Sequence, residues 1–139
     1  MTTQLKSEFK SPAHVAESAA APAVVSAAPL IGTWVNTDST TRDLVKIVIA
    51  ARGAGITVDA FGACSPSPCV WGVVPGIAYA ANVSSSPAVA FSAEYKFSFS
   101  HVIIVGFLQG KYLEVETYTQ FTDGSGRSNI RYTDQMVKH

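Results

Sequence analysis

Charge is scarce in this chain, and no segment is rich in charge of one sign. Ten Lys and Arg residues balance ten Asp and Glu residues over 139 positions, which leaves a formal net charge of zero. Nucleic-acid binding requires a basic face, and no cluster of Lys or Arg occurs here, so the composition predicts no nucleic-acid partner. A near-neutral chain has little electrostatic protection against self-association, which is compatible with a homo-oligomer.

Long apolar runs are also missing. A membrane helix needs roughly 20 consecutive apolar residues, whereas the longest uncharged apolar run of the body covers residues 102–108, the length of a buried strand. We therefore expect no membrane span. Because 47% of the residues are hydrophobic, one core is easily supplied, and the length suits a single domain.

Residues 1–29 differ in composition from the rest, because large apolar side chains are few and Ala, Pro and Ser are frequent. Pro12, Pro22 and Pro29 would interrupt any helix. This pattern predicts a flexible arm over residues 1–29 and a folded domain over residues 30–139. A secretory signal is the alternative, since residues 25–27 resemble a small-residue cleavage site, although Glu17 and Pro22 interrupt its apolar part. The compartment stays open, with a cytoplasmic location favoured over secretion.

Alternation of apolar and polar residues is the strongest structural signal. Between residues 89 and 99 every second side chain is apolar, which predicts one long strand with an inward and an outward face. Turn residues divide the domain into about eight such strands, and no helical periodicity occurs between them. We predict an all-β fold, an antiparallel up-and-down barrel. The predicted strands cover residues 32–36, 44–50, 56–61, 71–80, 89–99, 101–108, 112–121 and 129–137.

Charged side chains within these strands lie on the faces opposite the aliphatic ones. An outer surface with weak cross-strand ion pairs is the favoured interpretation, and a polar lumen containing Glu114 and Glu116 is the alternative. The residues concerned are Lys46, Glu94, Lys96, Glu114, Glu116 and Arg131.

Gly32-Thr33-Trp34, at the start of the first strand, resembles the Gly-x-Trp signature of calycin barrels, and its continuation to Asn36 and Ser39 is similar to the avidin opening. The resemblance implies that Trp34 closes the barrel base and stacks on Arg131 of the last strand. It also implies biotin as one candidate ligand, although avidins carry several Trp residues beyond the two of this chain. The alternative is a Trp that only plugs one end of the barrel.

Cysteine is limited to Cys64 and Cys69, which enclose Ser65-Pro66-Ser67-Pro68. The spacing fits a disulfide-stapled loop or a pair of reduced thiols, and sequence alone does not choose between them. A zinc site needs four ligands, and two of the three His residues lie near the chain ends, so we expect no metal; no cofactor motif occurs either. Flanking Phe61 and Trp71 suit a loop at the mouth of a barrel, where it would wall a binding site, or an ordinary surface loop.

The favoured function is non-catalytic binding of a small apolar molecule inside or at the mouth of the barrel. Aromatic side chains line such cavities, but they also fill solid cores. The predicted ligand-binding residues are Trp34, Asn36, Phe61, Trp71, Tyr79, Tyr95, Phe97 and Tyr118.

Two other functions remain open. A small-barrel cyclase or isomerase would rely on shape and on a few acid–base groups, for which the candidates are His101, Asp59, Glu114 and Glu116. A recognition module, lectin-like or partner-binding, would use loops on a rigid scaffold. Those loops contain Cys64 and Cys69, residues 84–87, and residues 123–126.

Overall fold

A computed structural model describes residues 24–139. Eight strands follow one another in chain order, each pairing antiparallel with the next, and the first pairs with the last, so the sheet closes into a barrel. A short 3-10 turn, Ala28–Leu30, precedes them. The predicted all-β up-and-down barrel is confirmed. The strands are β1 (Gly32–Asn36), β2 (Leu44–Arg52), β3 (Gly55–Gly62), β4 (Cys69–Ala80), β5 (Ala88–Lys96), β6 (Ser100–Gln109), β7 (Tyr112–Phe121) and β8 (Ile130–Lys138).

The long alternating segment proves shorter than its sequence pattern. β5 spans Ala88–Lys96, and the chain then turns, because the Phe97 N–H donates to the carbonyl of Ser100 at 2.8 Å. Val89 is the extra residue of a bulge, since Tyr79 pairs with Ala90 whereas Ala80 pairs with Ala88. Val89 therefore lies on the outer face, 38% exposed.

Inward side chains fill the barrel. Those of the core are 0–4% exposed, so no water-sized space adjoins them. The closest fit is between β5 and β6, where the buried ring of Phe91 lies directly over the backbone of Gly106. The core residues are Leu30, Trp34, Leu44, Ile47, Ile49, Ile56, Val58, Ala60, Ala88, Phe91, Ala93, Tyr95, Val102, Ile104, Leu113, Val115 and Met136.

Trp34 seals one end, which we name the closed end. It is 2% exposed, and its indole N–H donates to the carbonyl of Leu30 at 2.8 Å, which holds the 3-10 turn across the barrel. A basic residue of the last strand does cover the indole, but it is Lys138, whose Nζ lies 5.1 Å from the ring centroid. The expected partner was wrong: Arg131 starts β8 at the other end, where its guanidinium lies 3.4 Å from Glu116.

The predicted arm lies outside the described residues from 1 to 23. Its last part is held on the barrel, because the Ser26 N–H donates to the Ser86 carbonyl at 2.7 Å and the Ser26 carbonyl accepts from the Ala88 N–H at 2.9 Å. The boundary at residue 29 remains a prediction. Across residues 24–139, no helix has the length and apolar character that a membrane crossing demands.

Candidate functional site

The end opposite Trp34 is the open end of the barrel. Four loops meet there, because β1, β3, β5 and β7 finish where β2, β4, β6 and β8 begin: residues 37–43, 63–68, 97–99 and 122–129. Inward-facing side chains near this rim are solvent-exposed, as Tyr132 and Ile130 are by 49% and 36%. Since the core side chains are buried, the inward face of the barrel is accessible to solvent at this rim.

A row of aromatic rings runs from the core to solvent at the open end; we name Trp71, Tyr95, Phe97 and Phe99 the mouth cluster. Tyr95 stacks on Phe97 with centroids 5.6 Å apart, and Phe97 stacks on Phe99 at 5.7 Å. Trp71 meets Tyr95 and Phe97 edge-on at 5.4 and 5.6 Å. Exposure rises from 2% at Tyr95 to 47% at Phe99. The stack therefore ends in a ring with an unoccupied face toward water.

The hydroxyl of Tyr95 anchors this cluster. It accepts from the Ala60 N–H at 3.0 Å and lies within donating distance of two carbonyls, Gly72 at 2.8 Å and Val58 at 3.1 Å. Burial raises the pKa of Tyr95 to about 12, an effect opposed by the Ala60 N–H and supported by the charge of Asp59. The phenol is thus neutral at physiological pH and acts as a fixed support.

The cysteine loop stands beside the cluster. Cys64 and Cys69 form a disulfide with their Cα atoms 5.4 Å apart, so the disulfide interpretation is confirmed and the dithiol alternative is wrong for this structure. The loop backbone approaches the indole closely, because a Cβ on Gly62 would lie 2.8 Å from Trp71 Nε1. Phe61 points outward instead, where Lys46 Nζ lies 4.3 Å from its ring centroid.

Polar groups occupy the β1–β2–β8 side of the open end. Asn36 Nδ2 donates to the Leu44 carbonyl at 2.8 Å and to Asp134 Oδ1 at 2.9 Å. Asp43, just before β2, is linked to Asp134 through Thr41, whose Oγ1 accepts from the Asp43 N–H at 3.1 Å and donates to Asp134 Oδ1 at 3.4 Å. We name Asp43 and Asp134 the carboxyl pair. Asn36 was predicted at the site, and its contacts lead directly to this pair.

Burial is the main cause that raises the pKa of Asp43 to about 8, followed by the hydrogen bond and the charge of Asp134. The Leu44 N–H acts in the opposite direction. One oxygen of each carboxyl group, Asp43 Oδ2 and Asp134 Oδ2, is buried without a hydrogen-bond partner.

Sequence reasoning missed both members of the carboxyl pair. A signal existed for Asp134, which lies two residues from Tyr132 and from Met136 and therefore shares the inward face of β8 with them. Asp43 lies in a loop where no periodicity applies. Thr117 was missed too: it is 1% exposed on the inward face of β7, opposite Tyr132, and its hydroxyl has no partner.

The remaining predicted ligand-binding residues lie at the closed end or on the outer face of the barrel. Trp34 lies at the closed end, and Tyr79 and Tyr118 lie on the outer face, 45% and 40% exposed. Tyr79 bonds Ser92 Oγ at 2.7 Å beside an outer groove of about 740 Å³ between β4 and β5. The structure therefore groups Asn36, Trp71, Tyr95 and Phe97 at one end and separates the others.

The outer face carries the six charged strand residues for which the favoured interpretation predicted it: Lys46, Glu94, Lys96, Glu114, Glu116 and Arg131. Glu116 pairs with Arg131 across β7 and β8, and Glu94 lies 3.8 Å from His101 across β5 and β6. The acid–base candidates His101, Asp59, Glu114 and Glu116 alternate with core residues on three strands, β6, β3 and β7. Within residues 24–139, no three His, Cys, Asp or Glu side chains are grouped as metal ligands.

A scan against protein-family models, a search of curated proteins and a search of solved structures each found no match to this chain. The closed eight-stranded barrel is consistent with a calycin-like architecture.

Proposed function

We propose that this protein binds a small, flat, largely apolar molecule at the open end of its barrel, without catalysis. The observation that carries the proposal is the mouth cluster, whose outermost ring, Phe99, is 47% exposed although Tyr95 below it is buried. Exposed aromatic faces stacked on a fixed base are typical of sites for planar ligands. The ligand lies on the rim rather than deep in the barrel, because the core residues leave no space.

The walls of this site are rigid where the ligand would touch them. The disulfide closes the loop next to Trp71, and the hydroxyl of Tyr95 fixes the base of the stack. Rigid walls reduce the ordering cost of binding. Asn36 and the carboxyl pair supply the polar side of the same rim, so a ligand with one polar edge fits better than a pure hydrocarbon.

A nuclear magnetic resonance titration with indole, a flat apolar probe, tests the proposal. We expect chemical-shift changes at the Trp71 indole N–H and at residues 63–69 and 97–99. Phe99→Ala should weaken indole binding about two- to tenfold, the effect of one aromatic contact. Phe107→Ala is the matched control, because Phe107 is 38% exposed on the outer face of β6 and should leave the affinity unchanged.

Either of two results would refute the proposal. One is that indole shifts resonances only outside the open end, and the other is that Phe107→Ala weakens binding as much as Phe99→Ala does. In the first case the outer groove beside Tyr79 becomes the candidate site.

A recognition module is the second candidate, and one observation favours it. Apolar side chains are exposed along the outer faces of β4 and β6. On β4, for example, Val73 is 63% exposed and Ile77 is 58% exposed. Apolar patches of this kind mark contact surfaces for other proteins. Light scattering of the wild type and of Ile77→Lys tests self-association, which this candidate predicts for the wild type alone.

A further inference from the structure

The wall of the barrel has a gap between β4 and β5 on the side of the open end. Residues 69–75 of β4 pair with β3, and residues 94–96 of β5 pair with β6, but in the part of the chain that the structure describes no backbone pairing joins these two segments to each other. The Tyr95 side chain crosses the gap, because its hydroxyl donates to the Gly72 carbonyl at 2.8 Å. Each strand therefore has a free edge here, and a free edge offers N–H and C=O groups to another extended chain.

The outer groove of about 740 Å³ lies along this gap, and its lining indicates what would fill it. Val74 and Ala93 line the groove from the inward faces of their strands. Glu94 and Lys96 line it from the outward face of β5, where they are exposed and two residues apart. A strand in the gap would therefore need an apolar inward face and, on its outward face, charges of both signs at the same spacing.

One segment of this chain has that pattern. Residues 5–10 alternate between uncharged and charged side chains: Leu5, Lys6, Ser7, Glu8, Phe9 and Lys10. In an extended conformation the three charges share one face and the two large apolar side chains share the other. Glu8 can then oppose Lys96 while a lysine opposes Glu94. This match holds for either direction of the segment, because a lysine lies two residues before Glu8 and another two residues after it.

The chain joins the barrel close enough to deliver this segment. The Ser26 N–H donates to the Ser86 carbonyl at 2.7 Å, and the Ser26 carbonyl accepts from the Ala88 N–H at 2.9 Å, at the start of β5. From Ala88 to Glu94 the strand advances about 20 Å. Residues 11–23 are rich in Ala, Pro and Ser, and when extended they span up to about 43 Å. This connection is therefore long enough to bring residues 5–10 to the groove.

We propose that residues 5–10 bind in the groove of their own chain as an added strand between β4 and β5, with Glu8 beside Lys96. Phe9 then faces the apolar lining at Val74. Main-chain hydrogen bonds to the two free edges supply affinity, and the order of charges sets the register. The covalent connection makes the contact intramolecular, so a weak intrinsic affinity is sufficient. This strand goes beyond the ligand site at the open end and does not depend on it.

Nuclear Overhauser effects in the full, isotope-labelled chain test the added strand. We expect effects between the Phe9 ring and the Val74 methyl groups. Glu8→Pro should abolish them, because proline lacks the N–H that an added strand must donate. Ala20→Pro is the matched control, since it makes the same substitution outside the segment and should retain them.

A charge swap tests the register. Glu8→Lys should weaken the contact by up to about fivefold, the effect of one cross-strand pair of like charges. Adding Lys96→Glu should restore it. Both positions lie outside the core, because Lys96 is exposed on β5 and Glu8 precedes the barrel, so these variants should fold.

Three results would overturn the proposal. The first is the absence of any effect between residues 5–10 and the groove in the wild type, and the second is a Glu8→Pro protein that keeps those effects. The third comes from a mixture of labelled and unlabelled chains, in which effects that arise only between two chains exclude the intramolecular strand. Failure of indole to bind sinks the proposed function and leaves these results intact.

Discussion

Replacing Gly106 by alanine should destabilise the barrel by overpacking, and the structure gives the reason atom by atom. A Cβ at this position would lie 2.3 Å from Cε1 of Phe91, and 3.0 and 3.1 Å from Cδ1 and Cζ. Phe91 is 0% exposed, so its ring has no space into which it can move. Overpacking of this kind typically costs about 1–3 kcal/mol, and we expect the upper half of that range. Urea denaturation measures the loss of unfolding free energy.

A double-mutant cycle identifies the clash as the cause. Phe91→Leu alone leaves a partly empty space and should cost on the order of 1–3 kcal/mol. In Gly106→Ala/Phe91→Leu the new methyl group occupies part of that space. The destabilisation of the double variant should therefore be smaller than the sum of the two single destabilisations by about 1 kcal/mol or more. Additive costs, or a Gly106→Ala protein as stable as the wild type, would refute the reasoning. Gly55→Ala is the control, because its Cβ would meet two carbonyl oxygens at ordinary distances, that of Gly76 at 3.5 Å and that of Arg52 at 3.8 Å.

Three further predictions concern the open end. Tyr95→Phe should lose about 1–3 kcal/mol in urea denaturation, because a buried hydroxyl with three backbone partners is removed. Cys64→Ala/Cys69→Ala should lose about 2 kcal/mol by the loop-entropy argument, and dithiothreitol should affect only the wild type. The unfolding free energy should fall as pH rises from 3.8 to about 8, since the folded state keeps the Asp43 proton that the unfolded chain has released. The slope cannot exceed about 1.4 kcal/mol per pH unit, the limit set by a single proton, and Asp43→Asn should flatten the profile.

The architecture was predictable because alternation is a local property. Each strand shows its own two faces within five to ten residues, and turn residues mark its ends. Errors arose where pairing changes the local pattern. Val89 fits the alternation in sequence, but a bulge opposite Tyr79 and Ala80 moves it to the outer face. Phe99 continues the apolar pattern although the chain has already turned.

The site was harder to predict, because it depends on closure of the barrel. Asp43 and Asp134 meet only because β1 pairs with β8, and nothing near either residue indicates the other. The partner of Trp34 was wrong for a related reason: the direction of β8 places its end, Lys138, at the closed end and its beginning, Arg131, at the open end. Tyr79 and Tyr118 were plausible as aromatics, but strand parity places them outside.

The ladder between β4 and β5 covers only part of the wall. It pairs Gly76–Ala80 of β4 with residues of β5 up to Ala93, so toward the rim the two strands have no further rungs between them. There the Tyr95 hydroxyl of β5 connects the two strands, because it donates a hydrogen bond to the Gly72 carbonyl of β4. Because a side-chain hydrogen bond holds these two strand ends together, β4 and β5 can separate near the rim without loss of any backbone hydrogen bond between them. Local opening of this barrel should therefore begin beside the indole of Trp71, where one side-chain hydrogen bond takes the place of backbone pairing.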